Sequence, residues 1–364
     1  MLDGLVPMTE QESPLEDLFL PDLVASAASK VALPDPLRIE SVGEPEHGDI
    51  VLARVREVNP AYPNLETASS SEICLSEGNI ILGTLGIRRA LYGFSGKLPS
   101  GLNPGDPLHL LNKGGVIGQC TAFHRALGWP SRLEYLGTVV RDGRALNLRD
   151  GGLALKTGPL PETPLILVMG TCMNSGKTAV CKEILRLFSG RGFSVNAGKV
   201  AGVACFQDLK GMKEAGAQEV LSFHDFSLAS TAQVSDLAPV ARSLVHHLAK
   251  SEPDFIVLEM GDGILGGYQV ASLFEDREFL ERGLCIVLCA NDFMGVWGSL
   301  QWMTQQGYDP RQHPVLVAGP VTDSAEGIRY IEENLAVPAA NVFDSGGKLC
   351  TFIRELLMPW SKSA

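Results

Sequence analysis

One stretch constrains this chain more than any other: LILVMGTCMNSGKTAV, from Leu165 to Val180. Leu165 to Met169 is an apolar run suited to a buried parallel strand, and Gly170 to Gly176 reads as a tight loop. From Lys177 onward, KTAVCKEILRLF spaces Val180, Ile184, Leu185, Leu187 and Phe188 at helical intervals. A helix that starts on a glycine-bearing loop presents unpaired N–H groups and the positive end of its dipole, an anion site suited to phosphate. The loop residues Gly170, Thr171, Cys172, Met173, Asn174, Ser175 and Gly176 are therefore expected to contact a bound nucleotide. Lys177 would reach the β- and γ-phosphates, and Thr178 would set its hydroxyl on Mg²⁺. The usual pattern has its first glycine where this chain has Thr171. The glycine here is Gly170, so the loop is a variant.

A chain of 364 residues has room for two or three domains. Its net charge of −12 argues against non-specific binding to nucleic acid or to an anionic membrane, since both need a basic surface. No apolar run approaches the roughly 20 residues of a membrane span. MLDGLVPMTEQESPLEDL is acidic where a secretory signal would be basic and then apolar, so a cytoplasmic protein is expected. None of the eight cysteines forms a CxxC pair, which removes zinc spacing and leaves reduced thiols as the simplest account. Cys172 stands apart because it lies in the phosphate loop near a helix N-terminus, where thiol pKa values tend to fall.

Residues 1–36 read as a tail with one short apolar patch, Leu18 to Ala28, that could be a docking helix. Over 37–155 the texture changes: DIVLARVREV, NIILGTLG, PLHLL, GVIGQC and YLGTVV are separated by turn signals such as EHGD, NPGD and NKGG. This pattern predicts a small all-β domain, a barrel or a sandwich, ending in a hairpin that turns at Asp142-Gly143. Within it, Arg88 and Arg89 beside Tyr92, and Gly114-Gly115, are the places that could touch a ligand, although paired arginines usually form a solvated face. A Pro- and Gly-bearing linker occupies 156–163. Beyond it, in 164–364, strands (LILVM, FSVNAG, FIVLEM, LCIVLCA, PVLVAG and a short one near Asn341 to Phe343) alternate with helices. The helices are placed at Lys177 to Ser189, Asp236 to Lys250, Val270 to Arg282, Trp297 to Gln306, Ala325 to Leu335 and Gly347 to Leu357. The predicted fold class is α/β: a P-loop parallel sheet with helices on both faces, preceded by a small all-β domain.

Ligands of an open parallel sheet collect at the carboxyl ends of its strands. Lys199, Asp208, Glu259, Asn291 and Asp292 all follow such ends. Mg²⁺ takes hard oxygen ligands and keeps several waters, so Thr178, Asp208 and Glu259 suffice as its protein ligands. Lys199 would stabilise charge on a transferred phosphoryl group or an anionic substrate, and Lys177, Lys199 and Glu259 form the expected catalytic set. Asn291 joins the nucleotide-contacting residues. Glycines 261, 263, 266 and 267 in EMGDGILGG would let backbone amides line a pocket. His224 reads as a loop or surface residue.

GTCMNSGKT, the lysine of GKVAG, Asp208 and LEMGDG together resemble the dethiobiotin-synthetase-like branch of P-loop proteins, which also holds the amidotransferase-linked cobyrinic acid diamide synthases. The resemblance spans about Pro164 to the C-terminus. It implies a homodimer, Lys177 and Thr178 as phosphate-loop lysine and Mg²⁺ hydroxyl, Asp208 and Glu259 as metal carboxylates, and Lys199 near the γ-phosphate and substrate. The MGDGILGG stretch and the N-terminal domain depart from that family. The activity expected is a Mg²⁺- and ATP-dependent enzyme of ligase or synthetase type that phosphorylates a carboxylate or carbamate of a small metabolite. ATP is preferred to GTP because no NKxD motif follows the later strands. The alternative is a regulatory or chaperone-type NTPase switch acting on a protein partner.

Overall fold

The computed structural model describes residues 20–344 and 347–360. The first unit is all β: β1 (Leu23–Val24), β2 (Ile39–Glu40), β3 (Ile50–Glu57), β4 (Asn64–Glu66), β5 (Glu72–Cys74), β6 (Ile80–Leu85), β7 (Phe94–Lys97), β8 (Pro107–Leu110), β9 (Val116–Phe123), β10 (Arg132–Arg141) and β11 (Arg144–Ala145). Strands pair in the order β1-β6-β3-β10-β8-β9-β7, and β6 also pairs with β9, in parallel, through Thr84 and Val116. That second pairing returns the path to its start, so β6, β3, β10, β8 and β9 close a ring, the barrel alternative of the two expected. Alternate residues Val51, Ala53 and Val55 of β3 pack inward with Leu108, Leu110, Ile117, Leu133 and Tyr135. The expected terminal hairpin is present, with Arg141 opposite Arg144 and both Asp142 (φ 53°) and Gly143 (φ 72°) left-handed, as a two-residue primed turn requires.

The second unit has six strands: β12 (Leu165–Gly170), β13 (Val195–Ala201), β14 (Val220–Ser222), β15 (Phe255–Met260), β16 (Gly283–Cys289) and β17 (Val315–Ala318). They form a parallel sheet in the order β14-β13-β15-β12-β16-β17. Its helices are α1 (Lys177–Ser189), α2 (Gln207–Glu214), α3 (Ala238–Leu248), α4 (Arg277–Arg282), α5 (Phe293–Gln305), α6 (Ala325–Asn334) and α7 (Lys348–Leu357). The apolar strands alternate between two cores. Ile166 and Val168 pack with α1 and α7 on one face, and Leu165, Leu167 and Met169 pack with α3 and α5 on the other. The fold is α/β of the P-loop type: a glycine-bearing loop between the central strand β12 and α1, in a parallel sheet covered on both faces. Among the described residues no helix is long and apolar enough to cross a membrane.

Several expectations are corrected. Residues 1–19 of the expected tail, with Leu18 of the docking patch, lie outside the described residues. Residues 20–28 form no α-helix: β1 adds to the sheet beside β6, and Ser26 to Ala28 make one buried 3-10 turn. Ala25, Ala27 and Ala28 are buried because their small side chains let the backbone lie against the barrel. Val270 to Arg282 is split into a 3-10 turn (Val270–Glu275) and α4, since Asp276 adopts extended backbone and caps α4 through Phe279 N. The strand expected at Asn341 to Phe343 is a turn, in which Asn341 Oδ1 accepts from Phe343 N (2.8 Å); only Ala339 bridges to Val317.

Candidate functional site

The phosphate loop turns through two left-handed residues. Asn174 (φ 61°) and Gly176 (φ 92°) are left-handed, and no side chain caps the N-terminus of α1, so its first N–H groups face the loop. Lys177 Nζ donates to Cys172 O (2.7 Å) and Ser175 Oγ (3.3 Å), folded back across the loop. Gly319 (φ 87°) closes the loop from behind: a Cβ there would lie 2.5 Å from Ser175 O. Gly263 packs on Thr171 and Cys172, and Gly267 packs on Arg89, so within EMGDGILGG it is Gly261 that lines the cleft.

At the neighbouring strand ends, Lys199 and Glu259 are register partners on β13 and β15. Lys199 Nζ donates to the Asp208 carboxylate, an ion pair between β13 and the first turn of α2. Burial works against the Lys199 charge, but the Asp208 and Glu259 carboxylates outweigh it and hold its pKa above the ordinary lysine value. Burial likewise opposes the Asp208 charge, and Lys199 overrides it, keeping that carboxyl below its usual range. Glu259 differs. Burial pushes its carboxyl upward, Lys199 opposes the rise and Asp208 adds to it. Thr178 Oγ1 donates to Glu259 Oε1 (2.8 Å), while Glu259 Oε2 is buried with no hydrogen-bond partner. An orphaned carboxylate oxygen beside a hydroxyl suits a hard divalent cation that keeps its waters. No cluster of three His, Cys, Asp or Glu side chains able to hold a metal occurs among the described residues.

Asn291 lies on the same side and donates from Nδ2 to Cys172 Sγ (3.2 Å). Asp292 caps α5 through Gly295 N (2.7 Å), a structural duty. His224 is corrected: it is buried, Nδ1 meets Leu228 O at 3.0 Å, and burial pushes its pKa down to about 4.

On the other wall of the site, sequence reasoning named Arg88 and Gly114-Gly115 as possible ligand contacts and missed Tyr62, Asn112 and Lys113. A cleft of about 480 Å³ lies between the phosphate loop and the barrel, lined by Lys177, Thr178, Lys199, Asp208 and Glu259 on one side and by Tyr62, Arg88, Asn112 and Lys113 on the other. Arg88, named as a place that could touch a ligand although such pairs are usually solvated, is 7% exposed. Asn112 Nδ2 donates to Ala204 O (2.7 Å), Glu66 accepts from Phe206 N (2.6 Å), and Lys113 pairs with Glu72 (2.5 Å) and reaches Gln207. The barrel therefore grips the segment that leads into Asp208. Gly114 was a signal for this approach, since a Cβ there would lie 2.0 Å from Ala204 O. Cys205 also lines the cleft, and burial pushes its thiol up to about 12.

No protein-family model and no curated protein sequence matches the chain. Among solved structures, it is similar to the signal recognition particle receptor FtsY from Elizabethkingia anophelis (16% identity, 53% of this chain and 65% of that one, TM-score 0.36). It is similar also to the cell division protein FtsY from Thermotoga maritima (20%, 56% and 71%, TM-score 0.35) and to a DUF1611 family protein from Anabaena variabilis (13%, 60% and 66%, TM-score 0.39). The chain thus spans about two thirds of the first receptor's length. Likeness at this level carries nothing about activity. The fold stands on this chain's own sheet order and loop.

Proposed function

We propose that the chain is a Mg²⁺-dependent, ATP-using enzyme that transfers the γ-phosphoryl group to a carboxylate or carbamate of a small metabolite held between the phosphate loop and the barrel. The observation that carries this reading is the cleft itself. Four cations, Arg88, Lys113, Lys177 and Lys199, line it against two carboxylates, Asp208 and Glu259, in a chain whose net charge is −12. Such a pocket concentrates anions beside the site where phosphate is expected.

In the proposed reaction a carboxylate oxygen of the metabolite forms a bond to the γ-phosphorus as the bond to the β–γ bridging oxygen breaks. The products are an acyl phosphate and a nucleoside diphosphate. Lys177 exchanges Cys172 O and Ser175 for phosphate oxygens, and the α1 N-terminus supplies N–H donors. Thr178 and Glu259 would hold Mg²⁺, with Asp208 beside them, and the bound ion would supply charge neutralisation across the phosphates. Lys199, kept protonated and oriented by Asp208, offsets charge on the phosphoryl group as it moves. A second small cleft on the far side of Gly176, lined by Gly319, Pro320, Asp323, Asn341 and the exposed Phe343 ring, is where the base would rest.

A switch acting on a protein partner or a second copy is the second reading. It is favoured by the exposed apolar side chains of α5, Phe293, Met294 and Trp297, close to the loop that carries Asn291. Turnover of ATP and GTP by the purified chain, with and without pooled small carboxylates, separates the two. Stimulation by one pool is expected, and Lys177→Ala and Glu259→Gln should each lower turnover about 10²- to 10³-fold. Stimulation only by a protein or by self-association would replace the first reading with the second.

A further inference from the structure

We propose that the barrel wall of the cleft is a receptor for an anionic group of the second substrate, with the Arg88 guanidinium as its clamp and a carboxylate as its ligand. The inference rests on the phosphoryl-transfer reading for what happens next, but not for the binding itself. Arg88 lines the cleft, is more than nine-tenths buried, and has no ion pair among the described residues. Its Nη1 donates to Leu111 O, while Nε is buried with no hydrogen-bond partner. A guanidinium removed from water without a counter-ion is expensive, and the expense falls when an anion enters.

The other cations of the cleft are already engaged. Lys199 pairs with Asp208, Lys113 with Glu72, and Lys177 folds onto the phosphate loop. Arg88 alone among them has neither a carboxylate partner nor a phosphate role. The surroundings are shaped to its planar group: Gly93 (φ 140°) stands where a Cβ would lie 2.7 Å from Nη2 and 3.1 Å from the guanidinium carbon. Tyr268, whose hydroxyl accepts from Arg89 N (3.3 Å) and also meets the Arg88 guanidinium through a side-chain hydrogen bond, lines the same cleft and is a neutral partner that leaves the charge uncompensated. The planar fork suits two parallel hydrogen bonds to a carboxylate, a geometry that lysine does not reproduce.

Arg88 faces the cleft from the barrel, and Lys199 faces it from the strand end. A substrate held by one acid group at Arg88 therefore presents a second group toward the phosphate loop. This points to a small dicarboxylate, or to an acid with a carbamate at its other end, in place of a simple monocarboxylate.

Calorimetric titration of the full chain with malonate, succinate, glutarate, acetate and inorganic phosphate, each with and without Mg·ADP, tests the inference. At least one dicarboxylate should bind wild type more tightly than acetate does. Arg88→Gln should weaken that binding about 10- to 100-fold while Mg·ADP affinity stays unchanged. Arg88→Lys, which keeps the charge and loses the fork, should fall between them, and it carries the test where Arg88→Gln does not fold. Equal dicarboxylate affinity in wild type and Arg88→Gln, or no dicarboxylate binding in either arm, overturns the receptor. Phosphate binding more tightly than every dicarboxylate overturns the carboxylate assignment. Arg88-dependent binding without any gain in nucleotide turnover leaves the receptor standing and removes the phosphoryl-transfer reading, whereas acid-stimulated turnover indifferent to Arg88→Gln does the reverse.

Discussion

At the scale of single residues, the ionisable groups divide by what burial does to them. Lys199 and Asp208 resist it because each has the other, and the pair keeps its charges inside the cleft. His224 has no such partner. Its Nδ1 faces Leu228 O, its Nε2 is buried without a hydrogen bond, and its pKa falls from 6.5 to about 4. The sign follows directly. The unfolded imidazole binds a proton that the folded one refuses, so stability is fully present above about pH 6.5 and is lost as the pH falls toward about 4. Between about pH 7.5 and pH 5 the loss from this group is roughly 2 kcal/mol. Urea unfolding at both pH values should show a shallower dependence for His224→Gln than for wild type. Equal slopes in the two proteins would assign the acid sensitivity to other groups.

At the scale of elements, the parts legible in the sequence were those whose pattern is local. β12, β15, β16 and β17 are buried on both faces and so read as nearly continuous apolar runs, and the loop before α1 carries its own glycines and is followed by its lysine. The positions of Lys177, Thr178, Lys199, Asp208 and Glu259 at or after such strand ends are accordingly legible in the sequence alone. The three-residue β14 was not legible, nor was α2, whose face toward the barrel carries Gln207 and Asp208. Tyr62, Asn112 and Lys113 were invisible as site residues, and Arg88 was legible only as a place that could touch some ligand, because only closure of the barrel brings them to a loop some sixty or more residues away in the chain. Gly319 shows what such packing demands. A methyl group there would meet Ser175 O at 2.5 Å and Ala290 N at 3.1 Å, on a backbone already at φ 87°. Gly319→Ala should lower stability by about 2 kcal/mol and weaken nucleotide binding by displacing the phosphate loop. Gly298→Ala, in the middle of α5 with open space around it, should instead gain about 0.5–1 kcal/mol. Nucleotide titration beside thermal unfolding checks both, and wild-type nucleotide affinity in Gly319→Ala would separate this glycine from the loop's geometry.

At the scale of the whole molecule, the two sheets meet at several places, and one short segment carries the contacts nearest the cleft. Ala204 O accepts from Asn112 Nδ2, Phe206 N donates to Glu66, and Ala204 and Ala229 enter the same apolar cluster as Ile50, Leu82 and Val116 of the barrel. Lys30 adds an ion pair to Asp225 at 2.5 Å. The segment so gripped leads directly into Asp208, and hence to Lys199, so the barrel supplies one wall of the cleft and also fixes the charged pair on the other. Gly114 permits the approach: besides Ala204 O at 2.0 Å, its missing Cβ would stand 3.1 Å from Cys205 Cα, and these are backbone atoms with little room to yield. Gly114→Val should therefore force the sheets apart while leaving the phosphate loop intact. Wild type is expected to unfold in a single calorimetric transition, and Gly114→Val in two. Its Mg·ADP affinity should stay within about threefold of wild type, while acid-stimulated turnover falls at least tenfold, because one uncompensated misfit of about 2 kcal/mol outweighs the ordinary tolerance of an interface. A single transition with full turnover in this variant would mean that the barrel's grip on the 203–206 segment has no part in forming the site.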